Sequence, residues 1–563
     1  MAKTSFTANG CIMYIKQNRL LLSLLLLCFS AVAGAQTLKV PFTVKQASFK
    51  KDSLSITRFG AKADGITLNT ASINNAISEC NKRGGGVVVV PAGFWLTGPV
   101  VLKSNVNLHL QKGALLQFTK DFNQYPLVEA NWEGLPQMRN QSPLSATNAA
   151  NIAITGHGII DGSGDAWRMV KRDKLTESQW KKLVASGGML DDAKKQWYPS
   201  EQSKKGSEMK NPGVIDGTKG PEFYASIKDF LRPNLLLFTS CKTVLLEGVT
   251  FQNSPAWSLH PLMCENLTVR NVYVKNPWYA QNGDGIDVES CKNVLIEGST
   301  FDVGDDGICI KSGRDEAGRK RGMPTENLIA RNNTVYHAHG GFVIGSEMSG
   351  GARNLYIDNN TFIGTDIGLR FKTTRGRGGV VENVFITNTY MKDIIGEAIL
   401  FDMYYAAQDP VPLAGEKREP PKVQTLPVTA ETPQFQNFYI RNVVCDGAEK
   451  AIFVRGLPEM SVKNIFLENM VMQSTKGLDM TEGSNITLKN VHLITKEANP
   501  VMNIHNSQNI TLNNIRYEAA DVLLNVTGEK SSTIAVSATD TSKAKKSVEV
   551  AYGAKEGVVK VMK

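Results

Sequence analysis

The chain has 563 residues, of which 42% are hydrophobic and 21% are charged, and its formal net charge is +10 at pH 7. This composition is ordinary for a soluble globular protein. The basic excess suits either an acidic substrate or simple solubility. Because the basic residues are not interleaved with aromatic ones, we exclude nucleic acid as a partner.

Residues 1–35 are predicted to be a cleaved signal peptide. Lys16 and Arg19 precede the apolar run LLLSLLLLCFSAVAGA, and Ala33-Gly34-Ala35 forms a small-x-small cleavage site. The run is too short to span a bilayer comfortably, and no later segment is apolar enough to do so. We therefore expect an exported protein, periplasmic or secreted, without a membrane span.

One helical pattern precedes the rest of the fold. The segment LNTASINNAISECNKRGGG begins at Leu68 and has a threonine cap and a glycine stop. We expect this helix to cap the open end of the structure that follows.

A repeat led by asparagine runs through most of the chain. Its units include NIAITGHGIIDG at 151, NLTVRNVYVKN at 266, NVLIEGSTFD at 293, NLYIDNNTFIG at 354, NIFLENMVMQS at 464 and NITLNNIRYEA at 509. Each unit reads as a short alternating strand, an Asn or Gly turn and a second short strand. Such units cannot bury their apolar faces alone, so they stack. Without helices between them, the strands predict an all-β solenoid, a parallel β-helix.

We place this β-helix at residues 36–530, with two interruptions. Residues 164–231 are charged with interspersed aromatics and read as a folded insertion, and residues 406–434 are proline-rich and read as a loop. Residues 531–563 are expected to form a C-terminal capping tail.

The cysteines predict neither a zinc site nor a disulfide framework. After the signal peptide they are scattered and contain no CxxC pair: Cys80, Cys241, Cys264, Cys291, Cys309 and Cys445. We expect most of them to be small core residues, and one or two bridges stay open.

Unusual polar residues recur about one coil apart. NGDGID contains Asp284 and Asp287, and GDDG contains Asp305 and Asp306. His339, then Arg370 with Lys372, and then Tyr405 follow at similar spacing. Equivalent positions of successive coils stack at about 4.8 Å, so these side chains should form a ladder on one outer face.

Such a ladder fits acid and base catalysis on an anionic sugar. Carboxylates one coil apart can reach the ~6.5–9.5 Å separation of inverting glycosidases, which leaves room for a water molecule. Crowding three acids raises the pKa of at least one, which can then donate a proton. Adjacent cations would hold a carboxylate of the substrate.

These motifs resemble the polygalacturonase family of pectin-degrading glycoside hydrolases (glycoside hydrolase family 28), and its exo-acting branch more than its endo-acting one. The family is marked by Asn-Thr-Asp, Gly-Asp-Asp, Gly-His-Gly and Arg-Ile-Lys, in this order. Here NSPAWSLHP at 253 is followed by NGDGID, VGDDGICIKSG, HGGFVIGSE, RFK and FDMYY. Gly283, Gly307, Ala338 and Phe371 depart from the pattern without removing a chemical group. The resemblance is strongest over the central half of the chain.

The resemblance implies a right-handed, pectin-lyase-like β-helix that acts on α-1,4-linked galacturonate. Asp305 would be the general acid, and Asp284 and Asp306 would orient and deprotonate the attacking water. His339 would keep Asp305 in its working protonation state. The substrate-binding residues would be Arg370, Lys372 and Tyr405.

The remaining expectations concern partners and alternatives. We expect a monomer that acts on an anionic pectic polysaccharide without a metal or other cofactor. A calcium-dependent pectate lyase and a non-catalytic glycan-binding β-helix stay as alternatives, and the acids also have the alternative of turn capping or calcium binding. Tyr404 is an alternative to Tyr405, and His157, His260 and Asp287 read as structural residues.

Overall fold

The computed structural model describes residues 38–407, 409–411 and 419–562. The predicted signal peptide, residues 1–35, lies outside the described residues. Phe42–Lys563 forms one compact unit. No helix among the described residues is long and apolar enough to cross a membrane.

Two long sheets dominate the described part of the chain, and strands within each pair in parallel with the next coil. Sheet A has 24 strands. They are Ser53–Ser55, Asp64–Leu68, Gly86–Val90, Gly93–Thr97, Val106–Leu110, Ala114–Phe118, Ala150–Gly156, Ile159–Asp161, Lys242–Glu247, Thr250–Gln252, Glu265–Arg270, Tyr273–Lys275, Lys292–Glu297, Thr300–Asp302, Thr325–Arg331, Thr334–Tyr336, Ala352–Ile363, Val380–Lys392, Gln434–Asp446, Val462–Ser474, Gly483–Thr495, Gln508–Tyr517, Ser532–Ser537 and Val559–Met562.

Sheet B has 14 strands and carries the polar ladder. They are Val100–Val101, Leu144–Thr147, Leu236–Thr239, Leu259–Leu262, Ile286–Glu289, Asp306–Lys311, Gly340–Ile344, Leu369–Lys372, Glu397–Asp402, Lys450–Arg455, Lys476–Thr481, Met502–His505, Ala520–Thr527 and Ala544–Ala551.

Alternation along the strands of sheet B separates the core from the outer face. Ile308 pairs with Phe342, which pairs with Leu369, and all three are buried in one continuous apolar core. Their neighbours Cys309, Val343 and Arg370 form the next column and point the other way. The predicted fold class, an all-β right-handed parallel β-helix, is confirmed.

The asparagines that open the repeats form a hydrogen-bonded ladder. Asn464 Nδ2 donates to Asn437 Oδ1 at 2.8 Å, and Asn485 Nδ2 donates to Asn464 Oδ1 at 2.7 Å. Asn437 has φ 59° and Asn464 has φ 58°, a left-handed conformation that asparagine tolerates better than most residues. The repeat therefore fixes both the turn and the stacking of one coil on the next.

The predicted capping helix is Thr70–Lys82, but its N-cap is Asn69 and not a threonine. Thr70 Oγ1 instead accepts a hydrogen bond of 2.6 Å from the backbone N–H of Gly98. The hydroxyl is thus used to attach the helix to the first coils. The glycine stop is observed, since Gly84 follows the C-cap Arg83 with φ 85°.

The predicted insertion at 164–231 contains its own helices and a small sheet. The helices are Glu177–Ala185, Glu201–Ser207 and Pro221–Ala225, and the strands are Val170–Lys171, Met189–Leu190 and Gln196–Tyr198. Tyr224, Ile227 and Leu231 form a small core against which Leu127 and Met138 pack. Those two residues belong to a hairpin of strands Leu127–Trp132 and Leu135–Asn140. One more helix, Asp315–Arg321, follows the sheet B strand Asp306–Lys311 and precedes the sheet A strand Thr325–Arg331.

The C-terminal segment continues the solenoid beyond residue 530. Ser532–Ser537 pairs with Gln508–Tyr517, and Ala544–Ala551 pairs with Ala520–Thr527, both in parallel. The expected boundary of the β-helix at 530 is therefore too early, because the alternating strands of the tail extend both sheets. Residues 406–407, 409–411 and 419–433 contain no strand or helix, as expected for the proline-rich loop.

All six cysteines after the signal peptide are buried and free in the structure. They pack as small core residues, and the bridges that the sequence leaves open are not formed.

Candidate active site

The start of three successive strands of sheet B brings the predicted acids and His339 together. Ile286 pairs with Ile308, so Asp284 and Asp306, two residues before each, occupy equivalent positions of adjacent coils. Asp306 in turn pairs with Gly340, which places His339 beside Asp305. The strand Leu369–Lys372 lies one coil further.

The three carboxylates converge more closely than expected. One oxygen from each of Asp284, Asp305 and Asp306 lies within 4.8 Å of the others. The expected separation of ~6.5–9.5 Å does not describe these nearest oxygens, because stacked positions of adjacent coils are only about one strand spacing apart. Carboxylate spacing therefore does not by itself indicate the stereochemical course.

Two cations neutralise Asp306. Lys372 Nζ donates to Asp306 Oδ2 at 2.7 Å, and Arg370 Nη1 donates to Asp306 Oδ1 at 3.2 Å. Burial alone would raise the pKa of Asp306, but the charges of Lys372 and Arg370 hold it well below its usual range. Asp306 is thus ionised, with both oxygens engaged, which makes it a poor ligand for a free cation.

Asp284 has the opposite environment. Its side chain is buried, and Oδ1 has no hydrogen-bond partner among the described residues. Burial, together with the charges of Asp287 and Asp305, raises the pKa of Asp284 well above its usual value. The crowded acids therefore include one whose pKa is raised, as expected, and that acid is Asp284.

Asp305 is the outermost of the three and contacts His339. His339 Nδ1 lies 3.1 Å from Asp305 Oδ1, and the backbone N–H of Asn282 donates to Asp305 Oδ2 at 3.2 Å. The hydrogen bond to Asp305 raises the pKa of His339. His339 Nε2 also lies 3.7 Å from Asp366 Oδ2, a neighbour that the motifs do not indicate.

Gly340 packs closely against Val343 and Arg370. A Cβ atom at Gly340 would lie 2.5 Å from Cγ2 of Val343, 3.2 Å from Cδ of Arg370 and 3.3 Å from Cβ of Arg370. A side chain there would press against Val343 and against Arg370, which reaches Asp306 from two coils away. The double glycine after His339 thus has a packing reason.

Tyr405, rather than Tyr404, lies beside the cations. The Tyr405 ring centroid is 5.1 Å from Lys372 Nζ and 5.9 Å from the guanidinium carbon of Arg370. Tyr404 is only 3% exposed and packs under Arg455. All seven predicted site residues therefore lie in one cluster.

A buried ionic network beneath the cluster was missed by sequence reasoning. Lys311 Nζ lies 2.9 Å from Glu347 Oε2 and 3.6 Å from Asp287 Oδ1, and Arg377 approaches the other side of Glu347. Burial raises the pKa of Asp287, whereas Lys311 and Arg377 lower the pKa of Glu347 to about 2 against the effect of its burial. The strand alternation at Lys311 signals an outward lysine, but nothing in the sequence pairs it with Glu347.

The other residues read as structural lie apart from the carboxylates. His260 Nε2 lies 2.9 Å from Glu289 Oε2 in the interior, and Arg321 Nη1 donates to the other oxygen of Glu289 at 2.6 Å. His157 is exposed next to strands of sheet A.

A cavity of about 360 Å³ and one of about 320 Å³ are found in the described structure. The smaller is lined by Asn282, whose backbone N–H donates to Asp305. The insertion and the 127–140 hairpin line it, together with Arg139 and Arg232. Arg232 Nη2 donates to Asn282 Oδ1 at 2.9 Å, which connects this cavity to the loop that bonds Asp305.

Comparisons with known proteins agree with this geometry. The family profile described as "Glycosyl hydrolases family 28" matches residues 174–441, and one described as "Rhamnogalacturonase A/epimerase, pectate lyase-like" matches residues 53–175. An exo-poly-alpha-D-galacturonosidase of Dickeya chrysanthemi is 28% identical, over 78% of this chain and 71% of its own. A probable polygalacturonase of Vitis vinifera is also 28% identical, over 76% and 75%.

Among solved structures, the hyperthermoactive exopolygalacturonase from Thermotoga maritima is 31% identical, with a TM-score of 0.62. The match covers 80% of this chain and 92% of that one. The chain belongs to glycosyl hydrolase family 28 and is a glycoside hydrolase.

Proposed function

We propose that this protein hydrolyses α-1,4-linked galacturonate in pectin or polygalacturonate, releasing products from a chain end. The observation that carries this proposal is the position of Lys372 and Arg370 beside Asp306, within a cluster of three carboxylates. Paired acids serve hydrolysis, and adjacent cations serve a substrate that bears carboxylates. The names of the relatives point to the same substrate.

In the proposed mechanism, Asp305 gives a proton to the glycosidic oxygen as the bond to the anomeric carbon breaks. Asp305 suits this role because it is the outermost acid and shares a hydrogen bond with His339. A water molecule held by Asp284 and Asp306 attacks the anomeric carbon and loses its proton to one of them. Ionised Asp306, held by Lys372 and Arg370, orients the water. Asp284 accepts the proton of the water after its own proton has passed to the pair of Asp305 and His339 on substrate binding.

Arg370 and Lys372 have different shares in binding. The Arg370 side chain is 17% exposed and that of Lys372 only 6% exposed. Arg370, with Tyr405 above it, is therefore the main contact for a galacturonate carboxylate. Lys372 acts mainly as the counterion of Asp306, and its side chain makes at most a minor contact with the sugar.

The proposal of exo action is supported by the cavity of about 320 Å³ that the insertion lines. Residues 164–231 and the 127–140 hairpin enclose space on the N-terminal side of the carboxylates. Such a cavity accepts a chain end better than the middle of a polymer. The test is to compare the fall in viscosity of polygalacturonate with the rise in reducing ends. Exo action predicts many reducing ends before viscosity falls, and an early fall in viscosity contradicts it.

We further propose an inverting course, action without a metal, and an exported monomer whose first 35 residues are removed. Proton NMR during hydrolysis gives the anomer that forms first, and a retained anomer contradicts inversion. Full activity in excess chelator is expected, because Asp306 is already neutralised by two cations. N-terminal sequencing of the exported protein and its mass in solution test the remaining two statements.

A further inference from the structure

The cavity of about 360 Å³ lies on the same outer face as Arg370 and Lys372, toward the C-terminus. We call it the distal cavity. The column of sheet B that contains Lys372 continues through Asp402, Arg455 and Thr481 to His505. Thr481 and His505 line the distal cavity. At one strand spacing per step, they lie roughly 14–19 Å from Lys372.

The distal cavity contains a buried hydroxyl that lacks a partner. Tyr404 lines the cavity and is 3% exposed, and its Oη makes no hydrogen bond within the described residues. A buried hydroxyl without a partner is costly unless a ligand or water satisfies it. Tyr404 is next to Tyr405 in the chain, so one turn contributes a ring to each of the two sites.

The charges in the distal cavity do not suit a polyanion. Its charged residues are two lysines and three glutamates, namely Lys422, Lys530, Glu419, Glu482 and Glu529. Lys530 is already engaged, with Nζ 3.3 Å from Glu482 Oε1 and 3.0 Å from the carbonyl oxygen of Pro458. Burial lowers the pKa of His505 to about 4, so its imidazole is neutral at ordinary pH. Among its described residues the distal cavity thus has no excess of positive charge, in contrast to the two cations beside Asp306.

The rest of the lining suits a neutral sugar. Apolar and aromatic faces are supplied by Tyr552, Val423, Pro420, Pro421 and Pro458. Tyr404 Oη is unpartnered among the described residues. Asn506 Nδ2 donates to Glu482 Oε1 at 3.1 Å, and this pair keeps further hydrogen-bonding capacity for sugar hydroxyls. The volume is at the lower end of the range for small-molecule sites, about 300–1,000 Å³, and therefore fits a short glycan unit.

We propose that the distal cavity is a second saccharide site, which holds a neutral sugar unit of the same polymer whose galacturonate lies over Arg370. This rests on the proposed function, since it deepens the substrate from plain polygalacturonate to a pectin that also carries neutral sugars. The neutral unit can come from a side branch or from a neutral residue of the backbone.

The test measures binding by calorimetry in the Asp305→Asn protein, so that no probe is cleaved. The probes are a neutral galactan oligosaccharide, a rhamnogalacturonan oligosaccharide and trigalacturonate. The first represents a side branch and the second a neutral backbone sugar. Tyr552→Asn removes an aromatic face at a residue with φ 46°, where asparagine is tolerated. Tyr404→Phe removes only the unpartnered hydroxyl.

We expect the galactan or the rhamnogalacturonan oligosaccharide to bind, and Tyr552→Asn to weaken that binding about tenfold. Tyr404→Phe should weaken the same probe without lowering the melting temperature, which a merely structural hydroxyl would not do. Tyr390→Asn is the matched control, since Tyr390 is 45% exposed, like Tyr552 at 44%, but belongs to sheet A. It should bind as the parent does.

Three results overturn the proposal: no binding of the galactan or of the rhamnogalacturonan oligosaccharide, binding that both tyrosine variants leave unchanged, or Tyr552→Asn weakening only trigalacturonate. Hydrolysis of polygalacturonate by the wild-type protein is measured separately. Failure of the distal cavity is therefore distinguishable from failure of the proposed function.

Discussion

Lys372 Nζ lies 2.7 Å from Asp306 Oδ2, and the two side chains are 6% and 2% exposed. Lys372 and Asp306 lie two coils apart. Their contact joins a predicted substrate-binding residue to one of the two acids predicted to orient and deprotonate the water. It predicts that Lys372 affects turnover more than affinity, whereas Arg370 affects affinity more.

Lys372→Met should lower kcat by at least about 100-fold, because the pKa of Asp306 rises when a buried counterion is lost. Arg370→Gln should mainly raise KM for polygalacturonate. Steady-state kinetics of both variants test this division, with Lys476→Met as a control, since Lys476 is a half-exposed lysine of the same sheet. A pure KM effect in Lys372→Met contradicts the counterion role.

Asp305→Asn and Asp284→Asn should each abolish turnover with the fold intact. The amide has nearly the same shape as the carboxyl group but cannot exchange the required proton. Asp302→Asn is a matched control, because Asp302 Oδ1 lies 2.9 Å from His337 Nδ1 in a pair that resembles Asp305 and His339. Circular dichroism confirms folding, and normal turnover in Asp305→Asn or Asp284→Asn removes that residue from the mechanism.

His339 should give the pH profile an alkaline limb above pH 6.5, its unperturbed pKa. The pKa of His339 is raised, so its contact with Asp305 stabilises the fold fully below pH 6.5 and is lost as pH rises through the raised pKa. Above that pKa the pair of Asp305 and His339 has lost the proton that the leaving group needs. The pH dependence of kcat/KM is the measurement.

His339→Gln should remove or displace this limb, and His337→Gln should keep it. An alkaline limb that is identical in wild type and His339→Gln would assign it to another group.

Lys311→Met should destabilise the protein by about 3–5 kcal/mol, because it leaves Glu347 and Asp287 buried without their cation. Urea denaturation gives the free energy of unfolding. In the control Lys292→Met, the lost ion pair with Glu326 is half exposed, so a change of at most about 1 kcal/mol is expected. Equal effects of the two variants would show that the buried network does not hold this part of the structure.

The sequence was sufficient to predict the stacking of the coils and that the seven candidate site residues lie in one cluster. The leading asparagines set the register, so that Asp284 and Asp306 must lie one above the other. The predicted separation of the carboxylates was wrong. It was taken from inverting glycosidases, whereas stacked positions of adjacent coils are only about one strand spacing apart. The sequence also did not reveal Asp366, the Lys311 network or the use of Gly340, because these depend on side chains that meet across coils without a common motif.

The central claim is tested most directly by mass spectrometry of the products released from polygalacturonate in ¹⁸O-labelled water, with Asp305→Asn alongside. The account predicts saturated mono- or digalacturonate from the outset, with one ¹⁸O atom from each cleavage, and no product from the variant. Unsaturated products would mean elimination, and equal products from Asp305→Asn would remove the carboxylate cluster from the reaction.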